Sequence, residues 1–219
     1  MGKSASKKKP AAIAAGDDES ARGRLLGAAT HLFCRYGINA TGIDAIISEA
    51  GTAKTTLYKL FGSKTNLVNA VLESEGKAWR EWFIGAMEDG GGDAQAKLKR
   101  IFPALKRWFA EERFYGCPFI NAVAEHDKDA KAFRNIALRH KKVVLAHIEN
   151  LAGEMGAAEP QVLAHQLALL IDGAIVAAMV SRNPGVADTA GLAAGNLFGP
   201  SRVKKPKRAG STAAQLVAV

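Results

Sequence analysis

Lys54, Thr55, Thr56, Tyr58 and Lys59 stand in one short run, flanked by Thr41 and Lys64. Ammonium groups pair with phosphate oxygens, and hydroxyls and amides reach phosphates or base edges. These seven residues are the candidate DNA contacts. Nothing in the chain forms a comparable set for catalysis. Its Ser and Cys residues lack an evident neighbouring base. Cys34 and Cys117 form no CxxC pair, and His126, His140, His147 and His165 show no tight ligand spacing. No catalytic residue, metal site or cofactor is therefore expected.

The run needs a scaffold that exposes it. Thr41-x-x-Asp44 has the form of a capping box. Ile43, Ile46, Ile47 and Ala50 then recur at helical spacing. Gly51 suits a left-handed stop, and Thr52 is placed to cap the next helix. Leu57, Leu60 and Phe61 give that second helix an apolar face, which leaves Lys54, Thr55, Tyr58 and Lys59 on its free surface. Ser63 caps a third helix with Lys64 in its first turn. Two short helices about a glycine turn make a helix-turn-helix, which places its second helix in the DNA major groove.

The order and spacing resemble the TetR family of transcriptional regulators over residues 22–67. The resemblance rests on Leu57, Tyr58, Phe61, Lys64 and Leu67, which match the family's Leu-Tyr-x-x-Phe-x-x-Lys-x-x-Leu run. Thr52, Ile47 and Leu60 depart from its usual residues. The resemblance implies a homodimeric regulator, a repressor released from a palindromic double-stranded operator by a small-molecule effector. It places the dimer interface on the last two helices, over 160–182 and 186–198.

Charge supports a division of labour. The net charge is +9. Arg22, Arg24, Arg35, Lys54, Lys59 and Lys64 face only Asp44 and Glu49 in the stretch 21–67, and Arg202, Lys204, Lys205, Lys207 and Arg208 face no acid in 199–219. The rest is close to neutral, the pattern of a nucleic-acid binder with a separate neutral domain. The expected organisation is a disordered basic arm (1–20), a helix-turn-helix domain (21–67), a ligand-binding and dimerisation domain (68–198) and a disordered basic tail (199–219). No β-type alternation stands out, so the expected fold class is all-α. Helices are expected over about 20–36, 63–87, 94–111, 118–126, 129–155, 160–182 and 186–198. The glycine run 90–92 lacks the strand and lysine of a phosphate loop and reads as a turn. No signal peptide is visible. The apolar stretch 167–180 is too short for a membrane span, and a cytoplasmic location with no membrane partner follows.

Beyond the head, aromatic and small polar residues gather at 108–125. The pattern Gly116-Cys117-x-x-x-Asn121-x-x-x-Glu125 resembles the ligand domains of several TetR-family members. Trp108, Cys117, Phe119, Asn121 and Asp172 are the candidate effector contacts, since aromatics with a few polar groups suit a small-molecule pocket. Asp172 lies within an apolar helix and needs a partner or a ligand. The same residues also suit an ordinary core. An alternative is a thiol-based redox or electrophile sensor acting through Cys117, which a thiolate stabilised by nearby cations would favour.

Overall fold

The computed structural model describes residues 20–126 and 131–198; the expected basic tail and all of the expected arm but Ser20 lie outside them. The described chain is all-α, with no strand among the described residues. Its helices are α1 (Ala21–Tyr36), α2 (Ile43–Ala50), α3 (Lys54–Phe61), α4 (Lys64–Glu88), α5 (Ala94–Lys99), α6 (Ile101–Phe109), α7 (Pro118–Glu125), α8 (Lys131–Glu154), α9 (Pro160–Ser181) and α10 (Val186–Gly195), and a 3-10 turn follows at Asn196–Phe198.

The first three helices pack around the start of α4. Leu25, Ala29, Ile46, Leu57, Leu67 and Val68 are buried together there. Ser20 caps α1 by accepting from the Gly23 N–H at 3.1 Å, and Ser63 caps α4 by accepting from Asn66 N–H at 3.1 Å. Gly51 ends α2 in the left-handed region at φ 58°, ψ 44°. A side chain is disfavoured in that conformation. The expected capping box is absent. Gly42 and Ala53 occupy the cap positions of α2 and α3, and neither offers a side-chain bond. Thr41 turns inward instead, and Thr52 Oγ1 is buried without a partner.

The second half of α4 continues into the body. Trp79, Phe83 and Met87 meet Leu98, Ile101, Leu105 and Trp108 in one aromatic core. Trp79 stacks on Phe83 at 4.6 Å between centroids, and Trp108 sits edge-on to Trp79 at 5.5 Å. The single helix expected over 94–111 is broken between Lys99 and Ile101. Pro103 explains the break: it cannot donate to the Lys99 carbonyl, and its ring crowds that carbonyl. Asp93 caps α5 by accepting from the Ala96 N–H at 2.8 Å, and the glycines before it form a turn held by Arg100, which donates to Met87 O.

α9 packs on α8 and α10. It has 22 residues and is apolar enough to cross a membrane by length and composition, so the shorter stretch read from sequence understated it. One face, with Leu163, Leu167, Ile171, Ala174, Ile175 and Ala178, is buried within the chain. The other carries Val162, Leu169, Val176 and Val180 in the open, Leu169 at 72% exposure and Val180 at 77%. Ala174 and Ala178 thus belong to the chain's own core.

Phe83 lies at the centre of the body and is fully buried. Phe83→Ala is expected to destabilise the protein by about 3–5 kcal/mol, read as a lower urea midpoint at fixed protein concentration. A midpoint within error of the parent would contradict this account of the core.

Candidate functional site

α3 is fixed by Leu57 and Phe61, both buried, while Lys54, Thr55, Tyr58 and Lys59 project outward. Tyr58 is 44% exposed. Thr56 is half-buried on the flank. Leu60, read as part of the apolar face, is 41% exposed and so joins the outer surface. The helix therefore presents two ammonium groups, a phenol and hydroxyls on one exposed strip.

Lys54 Nζ lies 3.0 Å from Asp44 Oδ1, on the first turn of α2. The hydrogen bond and charge of Asp44 raise the Lys54 pKa. Lys64 is differently engaged. Its ammonium donates to the Ile38 carbonyl at 2.6 Å and is half-buried, which ties α4 to the α1–α2 loop. Thr41 is 3% exposed, and its hydroxyl donates to Gly37 O at 2.7 Å. It braces the loop from inside, so the structure does not offer it to DNA as the sequence reading expected.

The candidate effector residues do not converge on one opening. Trp108 is buried against Trp79 and Phe114. Phe119 stacks on His140 at 4.1 Å, and His140 lies 5.5 Å from Trp79. Trp108 and Phe119 thus belong to one aromatic layer, joined through Trp79 and His140. Asp172 has a protein partner, Lys141 Nζ at 2.5–2.6 Å, which answers its need without a ligand. Asn121 Nδ2 donates to Tyr115 O at 3.3 Å. Asn121 also lines a cavity of about 20 Å³ between α1, α4 and α7, with Cys34, Ile38, Val68 and Glu125. That volume holds roughly one water.

Both thiols are unfavourably placed for thiolate chemistry. Burial pushes Cys34 up to about 12, with smaller contributions from Glu75 and Cys117. Burial also raises Cys117, against weaker stabilisation from backbone N–H groups and Lys141. A reactive cysteine needs the opposite environment.

Sequence reasoning missed a polar group inside the body. Glu75 is 4% exposed, and its Oε1 has no partner. It occupies the buried row of α4, between Val71 and Trp79. Burial raises it from 4.5 to about 8, so it holds its proton at neutral pH. Trp79 Nε1, one helical turn along, is also buried without a partner. His140 is pushed down to about 3, by burial first and then by Arg80 and Lys141. Neutral His140 Nδ1 accepts from Arg80 Nη1 at 3.1 Å. The signal was available in the sequence: a carboxylate stands in register within the apolar row Leu67, Val71, Glu75, Trp79, Phe83, Met87.

Comparison with known proteins agrees with this geometry. Residues 25–71 match the family model described as bacterial regulatory proteins, tetR family. A helix-turn-helix-type transcriptional regulator from Lactococcus lactis subsp. lactis is 26% identical over 174 residues, covering 76% of this chain and 87% of its own. The transcriptional activator FasR of Mycolicibacterium smegmatis is 46% identical over 52 residues, 24% of each chain. A crystal structure of a TetR-family regulator from Streptomyces coelicolor superposes with a TM-score of 0.75 at 29% identity, covering 81% of this chain and 94% of that one.

Glu75 gives a pH signature. The unfolded carboxyl releases its proton above 4.5, while the folded one keeps it until about 8. The stability that this group contributes is complete below 4.5 and is lost as pH rises through the folded value. His140 works the other way, and its contribution is lost as pH falls from 6.5 toward 3. Glu75→Gln is expected to flatten the decline in urea midpoint between about pH 5 and pH 8. An equal decline in parent and variant would show that Glu75 is not the titrating group.

Proposed function

We propose that this chain, which belongs to the TetR family of transcriptional regulators, acts as a homodimeric repressor that an apolar small molecule releases from a palindromic operator. The observation that carries the reading is the exposed strip Lys54, Thr55, Tyr58 and Lys59 on a helix held by Leu57 and Phe61. Such a helix fits the major groove, with cations on phosphates and polar groups at base edges. Thr56 and Lys64 stand at its margin, with Lys64 able to add a phosphate contact through donors its carbonyl bond leaves over. In the cytoplasm the protein has direct access to DNA.

The apolar outer face of α9 supports dimerisation. Leu169, Val176 and Val180, with Leu192 on α10, form a solvent-facing strip that a second copy would cover. Gly173 lies within it and permits close helix approach. A dimer sets two α3 helices one helical turn of DNA apart, or a multiple of it. Small changes in that separation then weaken binding.

The effector site is proposed within the aromatic layer of the body, beside Trp108 and Phe119. Glu75 Oε1 and Trp79 Nε1 are buried, unpartnered and one turn apart. Such groups are costly to leave unsatisfied. A mainly apolar ligand with one end that donates to Glu75 and accepts from Trp79 would satisfy both. Cys117, Asn121 and Asp172 are assigned only indirect roles.

Two variants test the reading. Lys59→Ala and Tyr58→Ala are expected to lower operator affinity by about 1–3 kcal/mol each where the side chain reads a base, with the far-UV spectrum unchanged. Unchanged affinity in both removes α3 as the reading helix. Val176→Asp, which places a charge in the outer strip, is expected to sediment as a monomer with weakened operator binding. A dimer of parental stability would move the interface elsewhere.

A further inference from the structure

The stretch 21–67 carries two acids, Asp44 and Glu49, and they are used differently. Glu49 is tied to the fold: its Oε1 lies 2.7 Å from His31 Nδ1, which joins α2 to α1. Asp44 does nothing comparable. The cap of α2 is Gly42, and the Asp44 side chain is 80% exposed. Its hydrogen-bond partner is Lys54, with Nζ to Oδ1 at 3.0 Å. An ion pair so open to solvent adds little to stability.

The position of the pair matters more than its strength. Lys54 is the first residue of α3, and the N-terminal residues of a recognition helix are those that meet base edges in the major groove. Asp44 enters the groove beside it. A carboxylate there is repelled by the phosphates of every sequence and is compensated only where a base edge offers it a hydrogen-bond donor. Asp44 thus weakens binding to DNA in general and less so to DNA that meets its need. Specificity is such a difference of affinities.

The chemistry of the pair says which edge meets that need. Lys54 has three donors and uses one on Asp44 Oδ1, while Asp44 Oδ2 stays available to accept. The two groups present a donor and an acceptor side by side, 3.0 Å apart. In a G·C pair, guanine O6 and cytosine N4 bond to each other at about 3 Å, so an acceptor and a donor stand at matching separation. Guanine N7 gives Lys54 a second acceptor, and no acceptor lies beyond cytosine N4. In an A·T pair the one donor, adenine N6, lies between two acceptors, adenine N7 and thymine O4. With Lys54 on either of them, the carboxylate faces the other.

We propose that Asp44 and Lys54 together read one G·C base pair at each bound head, Lys54 on guanine and Asp44 on the cytosine amino group. Asp44 is thereby a specificity-determining residue outside the recognition helix. The inference rests on α3 as the reading helix, as argued above.

The experiment uses the full-length chain and a duplex selected from random sequence with the wild type. Each base pair of that duplex is then replaced singly. Affinities are measured for wild type, Asp44→Ala, Asp44→Asn, Lys54→Ala and Lys59→Ala, with far-UV spectra to confirm the fold. The wild type is expected to lose about tenfold or more in affinity when one particular G·C pair becomes A·T. Asp44→Ala and Lys54→Ala are expected to lose most of that discrimination at the same base pair and to keep it elsewhere. Asp44→Asn, which can donate as well as accept, is expected to tolerate adenine there. On a duplex of unrelated sequence, Asp44→Ala is expected to bind more tightly than wild type. Its log–log salt dependence there should be steeper by about 0.9, as one more cation becomes effective against phosphate. Unchanged base preference in Asp44→Ala at every position would overturn the inference. So would effects of Asp44→Ala and Lys54→Ala on different base pairs, or on an A·T pair. Lys59→Ala separates this from the wider reading. If Lys59→Ala weakens binding while Asp44→Ala leaves the preferred bases as they were, the role of Asp44 alone falls. If no variant alters affinity or preference, α3 is not the reading helix and both fall.

Discussion

The arrangement depends on one helix serving two cores. α4 has 25 residues and extends about 37 Å at 1.5 Å per residue. Leu67, Val68, Val71 and Leu72 close the head beneath α1 and α3, whereas Trp79, Phe83 and Met87 close the body. A continuous helix does not bend at low cost without a proline, a bulge or a broken hydrogen bond, and α4 has no proline. Tilting the head therefore means tilting α4, and tilting α4 disturbs the aromatic layer. Packed cores resist graded deformation, so motion at one end of α4 is felt at the other.

Glu75 sits where the two cores meet. A buried carboxylate without a partner is expensive if charged and cheaper if it keeps its proton. The raised pKa expresses that choice. The neighbouring groups are arranged around neutrality in the same way. His140 stays neutral and accepts from Arg80, so the cation near this layer is the guanidinium, which remains charged at any ordinary pH. The body thus holds few net charges but several unsatisfied hydrogen-bonding atoms, a composition that favours a neutral, polar-ended occupant over an ionic one.

Much of this was legible in the sequence where a pattern repeats. The helical periods around Leu57 and Leu67, Gly51 at its left-handed turn and Ser63 at its cap are local features with local causes, and they reappear in the structure. The failures share a different origin. Thr41 and Thr52 are cap-forming types standing one residue before the true caps, and the hydroxyl of Thr41 found a better acceptor in the loop. Lys64 fits the motif, and its bond to the Ile38 carbonyl, distant in sequence, was not legible there. Ala174 and Ala178 lie in the stretch 160–182 that the resemblance gives to the dimer interface, yet both are buried within the chain, because small side chains permit close approach between helices of one chain as well as between two chains. Periodicity identifies an apolar face but does not say which neighbour covers it. The same ambiguity affected the 117–125 pattern, where spacing defines a side of α7 and only the fold shows that α1 lies against it.

The DNA-facing surface carries a related lesson in electrostatics. Asp44 is an acid within a cationic head, and its position explains it. At the first turn of α2 it complements the helix dipole, and it draws Lys54 across to the N-terminus of α3. The pair is open to solvent on both sides, where ion pairs are weak and salt-screened. Lys54 is therefore held at the N-terminal end of α3 by a weak pair that leaves it open to other partners. A polyanion can take over the ammonium at small cost, and the N-terminal N–H groups of α3, which no side chain caps, are further donors for it. Lys59, on the last turn of the same helix, forms no ion pair among the described residues and complements the C-terminal end of the dipole. The two lysines thus bracket Tyr58 with one exchangeable and one unopposed charge. On the proposed function, this arrangement gives α3 cations for the phosphates and polar groups between them for the bases.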